Sequence, residues 1–186
     1  AVGTTSNVDV TRVVNGVTYL TPNMGGFTGL VQYAFGGIAG ASGDGSTTGL
    51  QLNYAQGPFW VGAAFQNANG TAASPASGAS TTLGGTYDFG MAKVGLGYQK
   101  ETASGVGVAF TDGTAFSLAV VGNMGALAPY FKYAKRSESG GVRVGTEDVA
   151  AVTNIGVMYS MSKRTKLYAD YAVDTVQASR SLKSKP

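Results

Sequence analysis

The chain has 186 residues, 29 of them glycine, with no cysteine, no histidine and a formal net charge of +3. Only 12% of residues are charged while 44% are hydrophobic, against about a quarter charged in ordinary water-soluble domains. Lack of histidine removes Ser-His-Asp and Cys-His nucleophiles and histidine-bearing zinc sites, and lack of cysteine removes disulfides, thiolates and iron–sulfur clusters. No basic run interleaved with aromatics is present, so nucleic acid is not an expected partner. No stretch reaches the 18 consecutive apolar residues of a membrane-spanning helix. Ala1 to Asp9 shows neither the basic start nor the apolar block of a signal peptide, so the chain reads as mature or as a piece of something longer.

Alternation with period two recurs along the chain and predicts ten strands, over 12–20, 26–36, 47–56, 59–67, 81–88, 92–100, 114–122, 127–136, 151–160 and 165–174. In the second, Phe27, Gly29, Val31, Tyr33 and Phe35 share one face and Thr28, Gln32 and Ala34 the other, with Leu30 the exception. Leu50, Leu52 and Tyr54 then oppose Gln51, Asn53 and Ala55, and Phe59, Val61, Ala63 and Phe65 oppose Gly62, Ala64 and Gln66. Further on, Val94, Leu96 and Tyr98 oppose Lys93, Gly95, Gly97 and Gln99, and Leu167, Ala169, Tyr171 and Val173 oppose Lys166, Tyr168, Asp170 and Asp174. These runs match the 9–11 residues a strand needs to cross a bilayer better than the 5–6 of soluble sheets.

Short links (21–25, 57–58, 89–91, 123–125, 161–164) alternate with long ones (37–46, 68–80, 101–113, 137–150), as in an up-and-down antiparallel sheet with one trimmed rim. The expected fold is all-β: an antiparallel up-and-down transmembrane β-barrel. Tyr19, Phe27, Tyr54, Phe59, Tyr87 and Tyr159 lie on the apolar face near short turns, where a membrane-interface girdle of aromatics is expected. The alternative places these rings in the core of a soluble β-sandwich; strand length, one-sided short turns and scarcity of charge favour the barrel.

Arg12, Lys93, Lys132, Arg136, Lys166, Asp88, Asp170 and Asp174 fall on the opposite face and are the expected pore-lining residues. No charged side chain is expected within the lipid-facing part of a strand, where it would cost about 2–4 kcal/mol at mid-bilayer. Five cations against three carboxylates imply a mildly positive wall and a mild anion preference. Asp170 and Asp174, four residues apart on a strand, are about 13 Å apart, too far for the carboxylate pair of a glycosidase. Glu147-Asp148 reads as a loop surface or weak calcium contact, Gly43-Asp44-Gly45 as a loop tip, and Asn69-Gly70-Thr71 as a chance sequon. No catalytic group, cofactor or metal site is expected.

Arg12-Val13-Val14-Asn15-Gly16-Val17-Thr18-Tyr19, followed by Thr21-Pro22-Asn23-Met24-Gly25-Gly26-Phe27, closely resembles a turn of the general porins of Gram-negative bacteria, best the trimeric sixteen-stranded porins of β-proteobacteria. Leu83-Gly84-Gly85-Thr86-Tyr87-Asp88-Phe89-Gly90 and Ser162-Lys163-Arg164-Thr165-Lys166-Leu167-Tyr168-Ala169-Asp170-Tyr171 agree with it. The resemblance implies an outer-membrane homotrimer, inserted by the barrel-assembly machinery, that passes small hydrophilic solutes and ions across the lipid bilayer by diffusion. It implies that ten strands of an expected sixteen are present, as strands six to fifteen, with residues 1–175 a partial barrel and 176–186 a tail outside the family pattern. Such porins are considerably longer, so truncation or a frameshift is expected. The inward-folded third loop and a closing strand with a terminal aromatic have no counterpart here. The runner-up reading is an autonomous small outer-membrane barrel with an adhesin or structural role.

Overall fold

The computed structural model describes residues 14–73, 75–105, 112–140 and 149–177. Ten strands form one sheet: β1 (Gly16–Leu20), β2 (Phe27–Ala34), β3 (Thr47–Gln56), β4 (Phe59–Ala68), β5 (Ser77–Asp88), β6 (Ala92–Ser104), β7 (Asp112–Gly122), β8 (Leu127–Ser139), β9 (Val149–Ser160) and β10 (Lys166–Gln177). Every strand pairs antiparallel with its sequence neighbours, in the order β1 to β10, and β1 does not pair with β10, so the sheet is open. No helix occurs among the described residues. The up-and-down, all-β expectation is therefore met.

Local chemistry explains the trimmed rim. Asn23-Met24-Gly25-Gly26-Phe27 and Asn123-Met124-Gly125-Ala126-Leu127 close the same way, Met24 and Met124 each exchanging backbone bonds of 2.9 and 3.2 Å with Phe27 and Leu127. Gly25 and Gly125 adopt φ of +63° and +68°, which only glycine takes without steric cost. Gly26 is also left-handed at +97° whereas Ala126 is not, which separates a I′-like from a II′-like tip. Each turn is also fastened to the next hairpin: the amides of Ala55, Asp88, Asn123 and Ser160 donate to the carbonyls of Gly26, Pro58, Met91 and Ala126 at 2.8–2.9 Å. The Ser162 hydroxyl accepts the amides of Arg164 and Thr165 at 3.2 and 3.0 Å and closes the last turn.

At the opposite rim β1 and β2 stop short of their expected ends, at Gly16 and Ala34, whereas β5 to β9 outrun theirs. β5 starts at Ser77, β6 runs to Ser104, β7 starts at Asp112, β8 runs to Ser139 and β9 starts at Val149. The added residues are small or polar and show no apolar alternation, yet backbone pairing such as Ser77↔Ser104 and Asp112↔Ser139 carries the ladder on. β10 likewise continues to Gln177, past the expected boundary at residue 175; the remainder of the expected tail lies outside the described residues, as does Arg12 at the expected start of the first strand.

There is almost no interior. Ala34 is the one buried hydrophobic residue among those described, while Leu52, Leu83, Leu96, Ile155 and Leu167 are each about half exposed or more. The register puts them on one face, in rows such as Leu52↔Ala63↔Leu83↔Tyr98↔Phe116. An apolar surface this continuous is far larger than the few hundred Å² a soluble monomer exposes. A β-sandwich would cover it with a second sheet, and the described residues form only one. The ten to thirteen residues of β3 to β10, at ~3.3 Å each and tilted by ~45°, give heights of about 23–30 Å, comparable to the ~25 Å apolar band of outer-membrane barrels.

Candidate functional site: the polar face of the sheet

The second face is lined by Gly, Ala, Thr, Gln and most of the charges of the described strand residues. At the short-turn rim Lys93 and Asp88 face each other across β5 and β6, with Nζ 3.5 Å from Oδ2, both about half exposed. Higher on the sheet, Arg136 Nη2 lies 2.6 Å from Glu101 Oε2 and its Nε lies 2.7 Å from Glu138 Oε1. Arg136 is on β8 and Glu101 on β6, so the guanidinium crosses β7 above Gly113 and Ala115, whose lack of bulk leaves the path open. Gln99 Nε2 extends the chain, donating to Glu101 Oε1 at 2.7 Å and to Ser80 Oγ at 3.3 Å. One lateral network thus joins three strands, β5, β6 and β8, passing over β7.

A second group sits on β8, β9 and β10. Lys132 Nζ lies 5.3 Å from the centroid of the Tyr130 ring, within cation–π range. The Tyr130 ring in turn lies across Gly156, where an added Cβ would overlap the ring and come within 2.7 Å of Asp170 Cβ. Asn154 Nδ2 donates to Asp170 Oδ2 at 2.9 Å. Lys166 and Asp174 lie on the same face of β10 and are exposed.

The structure brings Lys93, Lys132, Arg136, Lys166, Asp88, Asp170 and Asp174 onto one face, as the alternation predicts; Arg12 lies outside the described residues. It also adds two carboxylates the sequence reading left in loops, Glu101 and Glu138. Both follow a polar-face residue by two positions, Gln99 and Arg136, so continuing the alternation past the apolar run would have found them. With them, the polar-face strand charges among described residues are four cations and five carboxylates, and Arg136 is bound by two of the latter.

The apolar face also departs from expectation. Lys100 pairs with Thr81 and Thr114, and Lys135 with Phe116 and Ala151, so both stand on the face of Leu96, Tyr98, Phe131 and Tyr133. Asp112 shares that face through its pairing with Thr102. The apolar face is therefore not free of charge, but its charges lie toward the long-loop rim, away from the apolar middle.

The expected girdle aromatics stand at the short-turn rim, while Tyr33 and Phe35 form a separate ring pair at the opposite rim, 5.0 Å apart. Phe27 and Tyr54 are cross-strand partners with ring centroids 4.4 Å apart, Tyr54 and Phe59 are 6.3 Å apart, and Tyr87 and Phe89 are 4.5 Å apart. Phe59 pairs with Tyr87, Tyr159 with both Leu127 and Leu167, and Tyr19 with Val31. Of the loop residues, Asp44 belongs to a turned segment in which its amide donates to Ala41 O at 3.1 Å. Glu147 and Asp148 lie outside the described residues. No group of three or more potential metal ligands occurs among the described residues.

Solved structures similar to this sheet are outer-membrane proteins. The in-vitro folded trimer form of OmpT from Vibrio cholerae superposes with a TM-score of 0.64 at 16% identity, covering 88% of this chain and 54% of that one. A loop L8 deletion mutant of OmpT gives 0.62 at 16% identity, over 86% and 56%. Outer-membrane expressed OmpT gives 0.61 at 16%, over 88% and 55%. At that identity the shared property is the fold, and the chain spans just over half the length of the structures it matches. A search of curated protein sequences finds no match. A family model described as Gram-negative porin matches residues 1–179. With its open-sided apolar face and charged opposite face, this chain belongs to the Gram-negative porin family, which places it in the bacterial outer membrane.

Proposed function

We propose that the chain contributes ten strands to the wall of a water-filled pore through which small hydrophilic solutes and ions diffuse passively, in a trimeric sixteen-stranded general porin of the β-proteobacterial type. The observation that carries this reading is the one-sided sorting of a single continuous sheet. Large apolar side chains stand uncovered on one face, while Lys93, Lys132, Arg136, Lys166, Asp88, Asp170 and Asp174 stand on the other. Lipid covers the first face and pore water hydrates the second. Tyr19, Phe27, Tyr54, Phe59, Tyr87 and Tyr159 then form the girdle at the periplasmic headgroups. The protein supplies a passage and no chemical step, and the barrel-assembly machinery inserts it.

The balance of charge reduces the expected anion preference. Lys93 is offset by Asp88, and Arg136 by Glu101 and Glu138. Lys132, beside a tyrosine ring, and Lys166 are left as the cations without an ion pair among the described residues, opposed by Asp170 and Asp174, so the bias toward anions is small. Planar-bilayer recording tests both parts. The protein carrying this chain should give ohmic steps of a water-filled channel, and Lys132→Glu should move the reversal potential in a salt gradient toward cation selectivity. A folded, trimeric, non-conducting barrel would refute the pore; unchanged selectivity in Lys132→Glu would remove the anion preference alone.

A further inference from the structure

The charges of the polar face are unevenly shared among the strands. Residues 13–87 contain a single charged side chain, Asp44, and it lies in a loop. The polar face of β1 to β4 therefore carries no charge, while every polar-face strand charge among the described residues stands on β5 to β10. The uncharged part offers hydroxyls and carboxamides instead, among them Thr28, Gln51 and Asn53, together with the one tryptophan of the chain, Trp60.

The Trp60 ring leans over its neighbour. Its Cζ2 and Cη2 atoms and Asn53 Oδ1 converge above Gly62, where an added Cβ would meet them at 2.9, 3.1 and 2.5 Å. Asn53 Oδ1 is buried there with no hydrogen-bond partner among the described residues, a state that costs free energy until a donor reaches it. Gly62 begins a bare row across the sheet: Gly84 and Gly97 are its successive cross-strand partners, and Ser117 is the next. From Gly62 to Ser117 is three ladder spacings, about 14 Å. The far part of the row is a hollow of about 370 Å³, lined by Thr82, Gly84, Gly97, Gln99, Ser117 and Arg136 among others. Thr82 and Ser117 bring hydroxyls, which both donate and accept. Gln99 Nε2 is engaged by Ser80 and Glu101, which leaves Oε1 as its acceptor, and Arg136 is already bound by Glu101 and Glu138.

We propose that this row is a binding subsite for a neutral saccharide of mono- or disaccharide size. The sugar lies along Gly62, Gly84 and Gly97 with a C–H face against the Trp60 indole and its hydroxyls on Asn53, Thr82, Gln99 and Ser117. This rests on the porin reading, which turns the polar face to the pore water, and it adds a short, saturable stay for one class of solute to passive diffusion. The chemistry along the row selects that class. The face of an aromatic ring is the negative end of its quadrupole and attracts C–H groups, and a pyranose offers such a face inside a perimeter of hydroxyls. A charged solute finds no counter-charge on β1 to β4 among the described residues. A planar heterocycle would stack on the indole and leave the hydroxyls and carboxamides of the row to water. The glycines, without Cβ atoms, let the sugar ring come close to the backbone.

Planar-bilayer recording on the protein extracted from outer membranes tests the subsite. Maltose is the probe, and mannitol, a polyol without a ring, is the control for the loss of bulk conductivity. Maltose should lower the conductance saturably, beyond the effect of mannitol. Trp60→Ala should raise the half-saturating maltose concentration about ten-fold, equivalent to about 1.4 kcal/mol. Trp60→Phe should raise it less, and Gly97→Val, which sets a branched side chain in the row, should remove the saturable effect. Heat-modifiable gel mobility and conductance in sugar-free salt, measured on the same preparations, identify any variant that does not fold, and the wild-type comparison of maltose with mannitol decides without them. A conducting wild-type channel in which maltose acts no differently from mannitol overturns the inference and leaves the pore intact, as does a conducting Trp60→Ala channel with unchanged half-saturation. Saturation by caffeine with none by maltose overturns the choice of a sugar. A barrel that inserts and does not conduct overturns the pore reading and the subsite with it.

Discussion

Replacing Arg136 with alanine removes the centre of the lateral network and leaves two carboxylates facing one another across β7. Each lost contact is a charge-assisted hydrogen bond, at 2.6 and 2.7 Å, of a kind worth about 1.5–3 kcal/mol when well sheltered. The side chains are 37% exposed for Arg136, 24% for Glu101 and 14% for Glu138, so water recovers much of that value. The abandoned carboxylates, bound until then to one guanidinium, sit about 5 Å apart and repel by about 1 kcal/mol in a water-like medium. Together the terms predict a destabilisation of about 2–3 kcal/mol for Arg136→Ala. Arg136→Lys should lose about half of that, since one ammonium cannot reproduce the two-pronged contact. The assay is reversible unfolding in urea, followed by heat-modifiable mobility and tryptophan emission from Trp60. Adding Glu101→Gln and Glu138→Gln to the alanine variant should restore part of the stability by removing the repulsion. The wall would change from four cations and five carboxylates to three and five, so reversal potentials should move toward cation selectivity. Unfolding of Arg136→Ala at the wild-type urea concentration, with selectivity also unmoved, would refute the network as an energetic unit.

Other substitutions probe the two faces and the short-turn rim. Leu96→Arg places a charge in the middle of the apolar face and should cost about 2–4 kcal/mol in folding into lipid vesicles, whereas Gln99→Arg on the polar face should cost under about 1 kcal/mol; equal costs would mean that the apolar face does not meet lipid. Gly26→Ala asks a β-carbon to adopt φ +97° and approach Ala55 O to 2.7 Å, while Gly57→Ala meets open space and only the cost of φ +56°. Urea unfolding should show the first losing about 2–3 kcal/mol and the second about 1 kcal/mol. Gly156→Ala pushes the Tyr130 ring off the sheet and should cost about 1–3 kcal/mol in the same assay, relieved in part by the further change Tyr130→Ala, which leaves the 2.7 Å approach to Asp170 Cβ.

The two faces were legible because a strand reports its orientation at every second residue. The alternation of Leu50, Leu52 and Tyr54 against Gln51, Asn53 and Ala55 needs no partner to be read, and β3 (Thr47–Gln56) has its expected bounds. Strand ends at the long-loop rim were not legible, because Ser77, Gly78 and Ala79 or Thr102, Ala103 and Ser104 have no preferred face. Backbone pairing holds them in the ladder, and pairing is not a property of one segment. That error had consequences: ending the strand at Lys100 hid Glu101, and ending at Arg136 hid Glu138. The Arg136–Glu101 contact was beyond sequence reading for a further reason. It depends on the register of two successive pairs, β6 with β7 and β7 with β8, and the link between β6 and β7 gives no register signal.

The glycine content also acquires a specific meaning. Three of the long side chains on the polar face lie flat on the sheet where their neighbours are small. Trp60 lies against Gly62, where an added Cβ would come within 2.9 Å of its ring; Tyr130 lies across Gly156; Arg136 crosses Gly113 and Ala115. Glycine inside a strand costs about 0.5–1 kcal/mol in backbone entropy relative to alanine, so its use there needs a return. The return is geometric. A tyrosine or arginine that stood upright would project away from the sheet, whereas one laid over a glycine keeps its polar end at the surface; in the proposed pore this leaves the space above it open. On the apolar face no such constraint acts, and leucines, phenylalanines and tyrosines stand outward where lipid fills the gaps between them. A single composition, rich in glycine and poor in charge, therefore serves two solvents: small residues bed the long polar side chains on the wet side, and alternate positions spend their bulk on the lipid side.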